Sequence, residues 1–87
     1  MTRVRVIIRN KPSVFDPEGE AIDAGIERLG HEDVESVRVG KIVDIEFDSD
    51  DRAEIRERLD EICEQFLVNP VIERYEIEFI DGESNGE

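Results

Sequence analysis

The fold of this chain is decided by residues 63–75, which read Cys63-Glu64-Gln65-Phe66-Leu67-Val68-Asn69-Pro70-Val71-Ile72-Glu73-Arg74-Tyr75. A helix with one apolar face ends within this stretch. Asn69-Pro70 stops that helix, because the residue before a proline is pushed out of the α region. Residues 71–80 are predicted to form the next strand, because residues 74–79 alternate between charged and apolar side chains, a period of two that indicates a strand with one face in a core. The stretch therefore predicts a helix that turns back at once onto a sheet.

The helix that leads into this stretch is predicted to begin with Ser49 or Asp50 as its N-cap. Its apolar side chains follow one another at spacings of four, three, one and three residues, which places them on one stripe. The residues of the predicted buried stripe are Ile55, Leu59, Ile62, Cys63 and Phe66.

The first strand is predicted from the alternation in residues 3–9. Its inward side chains are Val4, Val6 and Ile8, and its outward side chains include Arg3, Arg5 and Arg9. If this strand is central, we expect its arginines to face carboxylates of the flanking strands, at about 0.2–1 kcal/mol for each cross-strand pair.

The first helix is predicted to start after Asp16, which serves as N-cap, with Pro17 at the first helical position, where a missing N–H costs nothing. Gly30 is predicted to end it as the residue in the left-handed conformation. The predicted buried stripe consists of Ala21, Ile22, Gly25, Ile26 and Leu29.

The segment between the helices has apolar side chains at five odd-numbered positions, with no change of phase at Gly40-Lys41: Val37, Val39, Val43, Ile45 and Phe47. A two-residue hairpin at Gly40-Lys41 would put Asp44 and Glu46 on the apolar face and bury their charges, so we reject it. Two interpretations remain open. Either residues 40–42 form a three-residue loop, or residues 34–47 form one long strand kinked at Gly40, which we favour. Such a strand would extend beyond its own domain and pair or exchange with a second copy.

These elements predict an α+β fold, a two-layer sandwich of ferredoxin-like character with two helices on one face of an antiparallel sheet. The order is β-α-β-α-β, in which the middle strand is either one long kinked strand or two short ones. We expect residues 1–80 to form a single domain and residues 81–87 to form a mobile acidic tail.

The composition restricts the partners. The 87 residues carry a net charge of −13, which repels phosphate backbones and anionic lipid, so we expect no nucleic-acid and no membrane partner. Cys63 is the single cysteine, which allows no internal disulfide and fits a reducing cytoplasm. The acidic excess, spread over every segment, also favours the hypothesis of a protein adapted to high salt.

The sequence contains no pattern of reactive residues. His31 has no second histidine or nearby cysteine, and Cys63 lies in an apolar stripe, so we predict no catalytic, cofactor-binding or metal-binding residue. Arg38 and Lys41 form a small basic pair in an acidic chain and are the candidates for contact with a partner.

Three pieces of the sequence together resemble the PurS family, the small subunit of phosphoribosylformylglycinamidine synthase in purine biosynthesis. They are residues 14–19, residues 37–41 and residues 63–75, and the resemblance runs from about Val4 to Phe79. The family's Arg-x-Gly-Lys is matched in full by Arg38-Val39-Gly40-Lys41. Asp16, Pro17 and Gly19 in the first piece, and Asn69 and Pro70 in the last, are interpreted as structural motif residues.

The resemblance implies a non-catalytic subunit of a ligase complex. It implies a dimer, or a dimer of dimers, that joins a large ATP-dependent synthetase subunit to a glutaminase subunit and assists ammonia transfer between them. ATP and Mg would be bound by the large subunit, and this chain would bind no cofactor. The candidate partner-contact residues are then Arg38, Gly40 and Lys41.

A second function remains open at this stage, since two-layer ferredoxin-like dimers often bind a small ligand at their interface. Such a regulatory dimer would call for a glycine-rich turn before the first helix. Asp16-Pro17-Glu18-Gly19 offers a single glycine, inside the first helical turn. A thermal-shift screen of small ligands would separate the two functions.

Overall fold

The structure is a computed structural model, which describes residues 1–80. Its elements are β1 (Thr2–Asn10), α1 (Pro17–Arg28), β2 (Gly40–Phe47), α2 (Arg52–Ile62), a π-helical turn (Cys63–Leu67) and β3 (Glu73–Ile80). The antiparallel sheet has the strand order β2-β1-β3, so β1 is central, which is the condition on which the predicted arginine–carboxylate pairs depended. A sheet of this kind with two helices confirms the predicted α+β, ferredoxin-like fold class.

The register of the sheet separates an apolar inner face from a charged outer face. On the inner face, Val6 lies opposite Val43 of β2 and Ile77 of β3. On the outer face, the arginines of β1 meet carboxylates of the neighbouring strands, as predicted. These pairs are Arg3 with Glu46 at 3.1 Å, Arg5 with Asp44 at 2.9 Å, and Arg9 with Glu76 at 3.4 Å. Because all three pairs are solvent-exposed, each stabilises the sheet by no more than about 1 kcal/mol.

The core lies between the inner face and α2. Ile55 and Leu59 are fully buried, and so are Val4 and Val6 beneath them. At the margins, the Arg58 guanidinium lies 5.0 Å from the centre of the Phe47 ring and shields that edge of the core from solvent.

Phe66 is not part of this core, and its predicted burial is wrong. Its side chain is 85% exposed. The cause is the π-helical turn, in which the N–H of Val68 donates to the carbonyl of Cys63, five residues back, at 2.9 Å. The extra residue in the turn rotates Phe66 off the stripe, and Val68 enters the core in its place.

The ends of α2 and β3 also differ from the prediction. The N-cap is Asp51, whose side chain accepts from the N–H of Glu54 at 3.2 Å, and Ser49 instead supports that cap by accepting from the N–H of Asp51. β3 begins at Glu73 rather than residue 71. Residues 70–72 remain in the turn because the Asn69 carbonyl accepts from the N–H groups of both Ile72 and Glu73.

The apolar stripe of α1 is largely exposed in this chain, against the prediction. Ile22 is 43% exposed and Leu29 is 77% exposed, and the buried residue of the helix is Gly19. The end of the helix does match its prediction, because Gly30 has φ +101° and its N–H donates to the Glu27 carbonyl at 2.9 Å. The radius of gyration is 16.4 Å, whereas about 12 Å is expected for a compact domain of this length.

The middle strand is shorter than the strand of residues 34–47 that the favoured interpretation predicts. β2 starts at Gly40, and residues 34–39 are not part of any strand within the described chain. The three-residue hairpin loop is also wrong, because residues 40–42 lie inside β2 and pair with β1. A segment forms a ladder only beside a second strand, and residues 34–39 have no such neighbour within residues 1–80.

Candidate functional site: the joint between the first helix and the second strand

Two of the three motif segments meet where α1 begins and β2 begins. We call this place the joint, and it comprises Asp16, Gly19, Arg38, Val39 and Gly40. At its centre, Asp16 is only 6% exposed. One carboxylate oxygen accepts from the N–H of Gly19 at 3.0 Å, and the other accepts from the N–H of Val39 at 2.7 Å. A single side chain therefore caps α1, as predicted, and also holds the segment that leads into β2.

The hydrogen bonds at Asp16 stabilise its charged form. The N–H of Val39 lowers the pKa of the carboxyl most, the N–H of Gly19 lowers it next, and the Arg38 guanidinium contributes at longer range. Burial acts in the opposite direction and is outweighed. Asp16 is therefore ionised at neutral pH, and both of its oxygens hold backbone N–H groups of this chain.

Arg38 secures the other side of the joint. Its guanidinium donates to the carbonyl of Lys11 at 3.1 Å and to the carbonyl of Val14 at 2.9 Å. The loop it holds is itself closed by a bond from the N–H of Val14 to the Lys11 carbonyl. Because arginine can donate to two acceptors at once, it ties residues 34–39 to the loop before α1.

Gly19 and Gly40 of the joint each lie so close to another segment of the backbone that a side chain would not fit. A Cβ at Gly19 would collide with the Val37 carbonyl oxygen, where residues 37–39 cross the start of α1. A Cβ at Gly40 would lie 2.7 Å from the Ile8 carbonyl oxygen, where β2 starts to pair with β1. Pro17 lies at the first turn of α1, as predicted.

Lys41 stands apart from these contacts. It is exposed, lies opposite Ile8 in the sheet register, and forms no ion pair with a described residue. It borders a cleft of about 190 Å³ together with Asp16, Glu18 and Glu73. Of the three candidate partner-contact residues, Lys41 has a free charged side chain, whereas Arg38 and Gly40 build the joint.

The Asn69-Pro70 turn forms a separate structural site. The Asn69 side-chain oxygen accepts from the N–H of Val71 at 3.1 Å, and the Asn69 N–H donates to the Glu73 carboxylate at 2.8 Å. Pro70 is exposed at the tip. These bonds replace the helical ones that proline prevents and direct the chain into β3.

The remaining titratable candidates have structural surroundings. Cys63 is fully buried, and this burial raises the pKa of its thiol. Burial, followed by the hydrogen bond at 3.1 Å that its hydroxyl donates to Asp60, raises the pKa of Tyr75 to about 12. This pairing was not predicted, since an i to i+15 contact leaves no periodic signal. His31 is exposed, and no three described His, Cys, Asp or Glu side chains are grouped to hold a metal. Within residues 1–80, no helix has the length and apolar character to cross a bilayer.

The family model of PurS, described as phosphoribosylformylglycinamidine (FGAM) synthase, matches residues 3–81. The chain belongs to the PurS family. It is 39% identical over 80 residues to the PurS subunit of phosphoribosylformylglycinamidine synthase from Synechocystis, an alignment that covers 90% of this chain and 80% of the relative.

Two solved PurS structures extend this likeness to the fold. The crystal structure of Methanocaldococcus jannaschii PurS, a subunit of formylglycinamide ribonucleotide amidotransferase in the purine biosynthetic pathway, is 35% identical with a TM-score of 0.83, and the match covers 95% of this chain and all of that one. A chain of the PurLQS structure from Thermotoga maritima is 28% identical with a TM-score of 0.82, covering 91% and 96% of the two chains. The resemblance drawn from the three sequence pieces is thereby confirmed: this is a PurS-type subunit of a ligase that acts in purine biosynthesis.

Two sequence predictions stay open. The division into a domain of residues 1–80 and a tail remains a prediction, and the tail itself, residues 81–87, lies outside the described residues. The role of Arg38, Gly40 and Lys41 in partner contact also remains a prediction, which the geometry of the joint now makes specific.

Proposed function

We propose that this chain is the non-catalytic small subunit that joins the synthetase and glutaminase subunits of phosphoribosylformylglycinamidine synthase and assists ammonia transfer between them. The observation that carries the proposal is the family match over residues 3–81, together with the likeness to a chain of the T. maritima PurLQS assembly. The assembled enzyme would convert formylglycinamide ribonucleotide to formylglycinamidine ribonucleotide in the cytoplasm, using ATP and glutamine. The large subunit would bind ATP and Mg, and this chain would bind neither.

The chemistry of the described residues supports a role without catalysis. The thiol of Cys63 is buried with a raised pKa, so little of it is the reactive thiolate. The carboxylate of Asp16 is occupied by two backbone N–H groups. The Cys63 thiol and the Asp16 carboxylate are therefore assigned to the stability of the subunit, and partner binding is assigned to its exposed surface.

The exposed half of the molecule supports a homodimer, or a dimer of dimers. The stripe of α1 is uncovered at Ile22 and Leu29, and no strand of the described part of the chain lies beside residues 34–39. A second copy placed against α1 and residues 34–39 would cover both features. The double variant Ile22→Asp/Leu29→Asp should then sediment as a monomer at concentrations where the wild type is a dimer, while its far-ultraviolet circular dichroism keeps the signal of the sheet and α2. A wild-type chain that is monomeric at micromolar concentration would contradict the dimer.

Lys41 is the proposed partner contact, and Arg38 and Gly40 are proposed to position it. The strand that carries Lys41 starts at Gly40, whose backbone is set by the close approach to Ile8 and by the bond from Val39 to Asp16. An exposed lysine that forms no ion pair with a described residue is suited to a carboxylate on the partner, because an ammonium group attracts opposite charge.

Reconstitution tests the proposal. The purified chain alone should neither hydrolyse ATP nor release ammonia from glutamine, and its addition to the cognate synthetase and glutaminase subunits should restore glutamine-dependent amidation. Amidation with free ammonia should depend on it less, because that reaction needs no transfer between subunits. Full glutamine-dependent activity without the chain would overturn the proposed function.

The contact residue is tested by Lys41→Ala, with Lys11→Ala as the matched control, since these are the two lysines of the chain. Lys41→Ala should lower glutamine-dependent turnover without changing the melting temperature. Arg38→Ala should lower the melting temperature as well, because it removes two hydrogen bonds to the loop before α1. If Lys41→Ala and Lys11→Ala have the same turnover as wild type, Lys41 is not a contact.

A further inference from the structure

The outer edge of β3 lies along two clefts that meet at Tyr75. Because the sheet order is β2-β1-β3, β3 pairs with β1 on one side only. Beside residues 75–78 lies a cleft of about 460 Å³, bordered by Arg56 and Asp60 of α2. Beside residues 73–75 lies a second cleft of about 370 Å³, bordered by Glu64, Val68 and Pro70. We call this continuous surface the edge groove.

The strand that borders the edge groove is long enough to act as a template. β3 has eight residues, whereas strands in globular proteins have about five or six on average. Along its outer side, alternate N–H and C=O groups have no strand partner among the described residues. An edge of this kind is able to accept an additional strand from another chain.

The charged side chains of the edge groove are mostly acidic. Its carboxylates are Asp60, Glu64, Glu73, Glu76 and Glu78, and its guanidinium groups are Arg56 and Arg74. The hydroxyl of Tyr75 donates to Asp60 at 3.1 Å and lies 3.5 Å from a carboxylate oxygen of Glu64, so these two carboxylates lie close together. The groove therefore combines negative charge with an apolar lining to which Val68 and Pro70 contribute.

The charge pattern disfavours a second copy of β3 as the added strand. In an antiparallel pairing of β3 with itself, directly opposed residues must lie on the same face. A pairing centred on residue 77 places Glu76 opposite Glu78 on both sides, and one centred on residue 76 places Glu76 opposite Glu76, although it also places Arg74 opposite Glu78. Like charges directly opposite each other destabilise a strand pair, so the acidic row protects the edge from self-association.

We propose that the edge groove binds an extended, basic segment of a partner subunit, which adds a strand to β3 and places Lys or Arg side chains at alternate positions against Glu76 and Glu78. The backbone of β3 supplies the hydrogen bonds, and the row of glutamates selects the basic partner. The proposal rests on the proposed function, because the partner is a subunit of the same complex. The surface that it assigns to that subunit is formed mainly by α2, the Asn69-Pro70 turn and β3, which follow the joint in the sequence.

The test compares charge reversal on the edge with charge reversal elsewhere. Glu76→Lys/Glu78→Lys reverses the row, and Glu57→Lys/Glu61→Lys, on α2, changes the net charge equally at exposed residues outside both clefts. Binding of each variant to the purified cognate synthetase subunit and to the purified cognate glutaminase subunit is measured separately by titration. The edge variant should bind one of the two subunits at least about tenfold more weakly, and the control should bind it within about twofold of wild type.

Two measurements keep the test decisive. If Glu76→Lys/Glu78→Lys folds poorly, Glu76→Gln/Glu78→Gln replaces it in the test, because it introduces no like charge beside Arg9. The glutamine variant should lose part of the affinity for the same subunit. Amide exchange in residues 73–80 should slow when that subunit is added, because the free N–H groups of β3 become bonded. Equal affinity of edge and control variants, or unchanged exchange in β3, would overturn the edge groove while leaving the proposed function in place. Failure of the wild-type chain to bind either subunit would instead overturn the proposed function.

Discussion

The two helices of this subunit carry the same kind of sequence signal and have opposite surroundings. α2 buries Ile55 and Leu59 completely against the sheet, whereas α1 leaves Ile22 43% exposed and Leu29 77% exposed. Both stripes were predicted to be buried on the same grounds of helical spacing. The difference teaches that an apolar stripe predicts that a helix face will be buried, but does not predict whether the surface that buries it belongs to the same chain.

The connections explain why α2 finds its cover within the chain. α2 is followed by the turn at Asn69, which returns the chain directly into β3 beside β1. α1 is followed by residues 30–39, which are tied to the start of the helix at Asp16 and Arg38 rather than to the inner face of the sheet. This path leaves α1 beside the sheet, with its stripe free for another copy.

The largest expected effect contrasts two leucines in equivalent stripes. Leu59→Ala should lower the free energy of unfolding by about 2–5 kcal/mol, because it opens a cavity at a fully buried site. Leu29→Ala should cost far less at protein concentrations where the chain is monomeric. Urea unfolding measured over a range of protein concentrations checks both. A growing effect of Leu29→Ala at high concentration would mark α1 as an interface, and equal effects at low concentration would contradict the exposure of Leu29.

The next effect contrasts two glycines. Gly40→Ala should cost about 1–3 kcal/mol, because its Cβ would lie 2.7 Å from the Ile8 carbonyl oxygen. Gly25→Ala, whose nearest neighbour would be 4.0 Å away, should raise helix stability by up to about 1 kcal/mol in the isolated chain. Thermal unfolding of both variants checks the signs. A destabilised Gly25→Ala variant would indicate that another helix approaches α1 closely at this glycine.

A smaller and pH-dependent effect is expected at the joint. The pKa of Asp16 is lowered from its ordinary value of 3.8, so its stabilising contribution is fully present above that value and is lost as the pH falls through the lower native value. Asp16→Asn should therefore be less stable than wild type at pH 7, and the gap should narrow below about pH 4. Urea midpoints at several pH values measure the gap. The control Asp23→Asn, on the same helix, should be as stable as wild type at each pH. A difference in stability between Asp16→Asn and wild type that does not change with pH would contradict the ionised cap.

The smallest effect concerns the acidic surface. If the net charge of −13 is an adaptation to salt, urea midpoints should rise from low to molar salt, because screening weakens repulsion among surface carboxylates. The exposed pairs on the outer face, such as Arg5 with Asp44, should weaken over the same range and offset only part of the gain. Midpoints that stay flat across the series would remove the salt-adapted hypothesis.

Much of the candidate site was predictable because its signals are local. The cap at Asp16, the proline after it and the end of α1 at Gly30 each follow from the conformation of one or two residues. The second bond of Asp16, to Val39, spans 23 residues and has no local signal. The sequence also gives no local signal that the Arg38 guanidinium reaches the Lys11 and Val14 carbonyls. For lack of that signal, Arg38 was predicted to contact a partner.

By itself, the sequence determined the alternation of strands and helices, the inward and outward faces of β1, and the family. Each of these depends on periods, caps and charges that neighbouring residues impose on the chain. Only the tertiary structure decided the rotation of Phe66 by the π-helical turn, the start of β2 at Gly40 and the exposure of the α1 stripe. The physical reason is that burial depends on which distant surface comes into contact, and residues 34–39 and α1 find no such surface among residues 1–80.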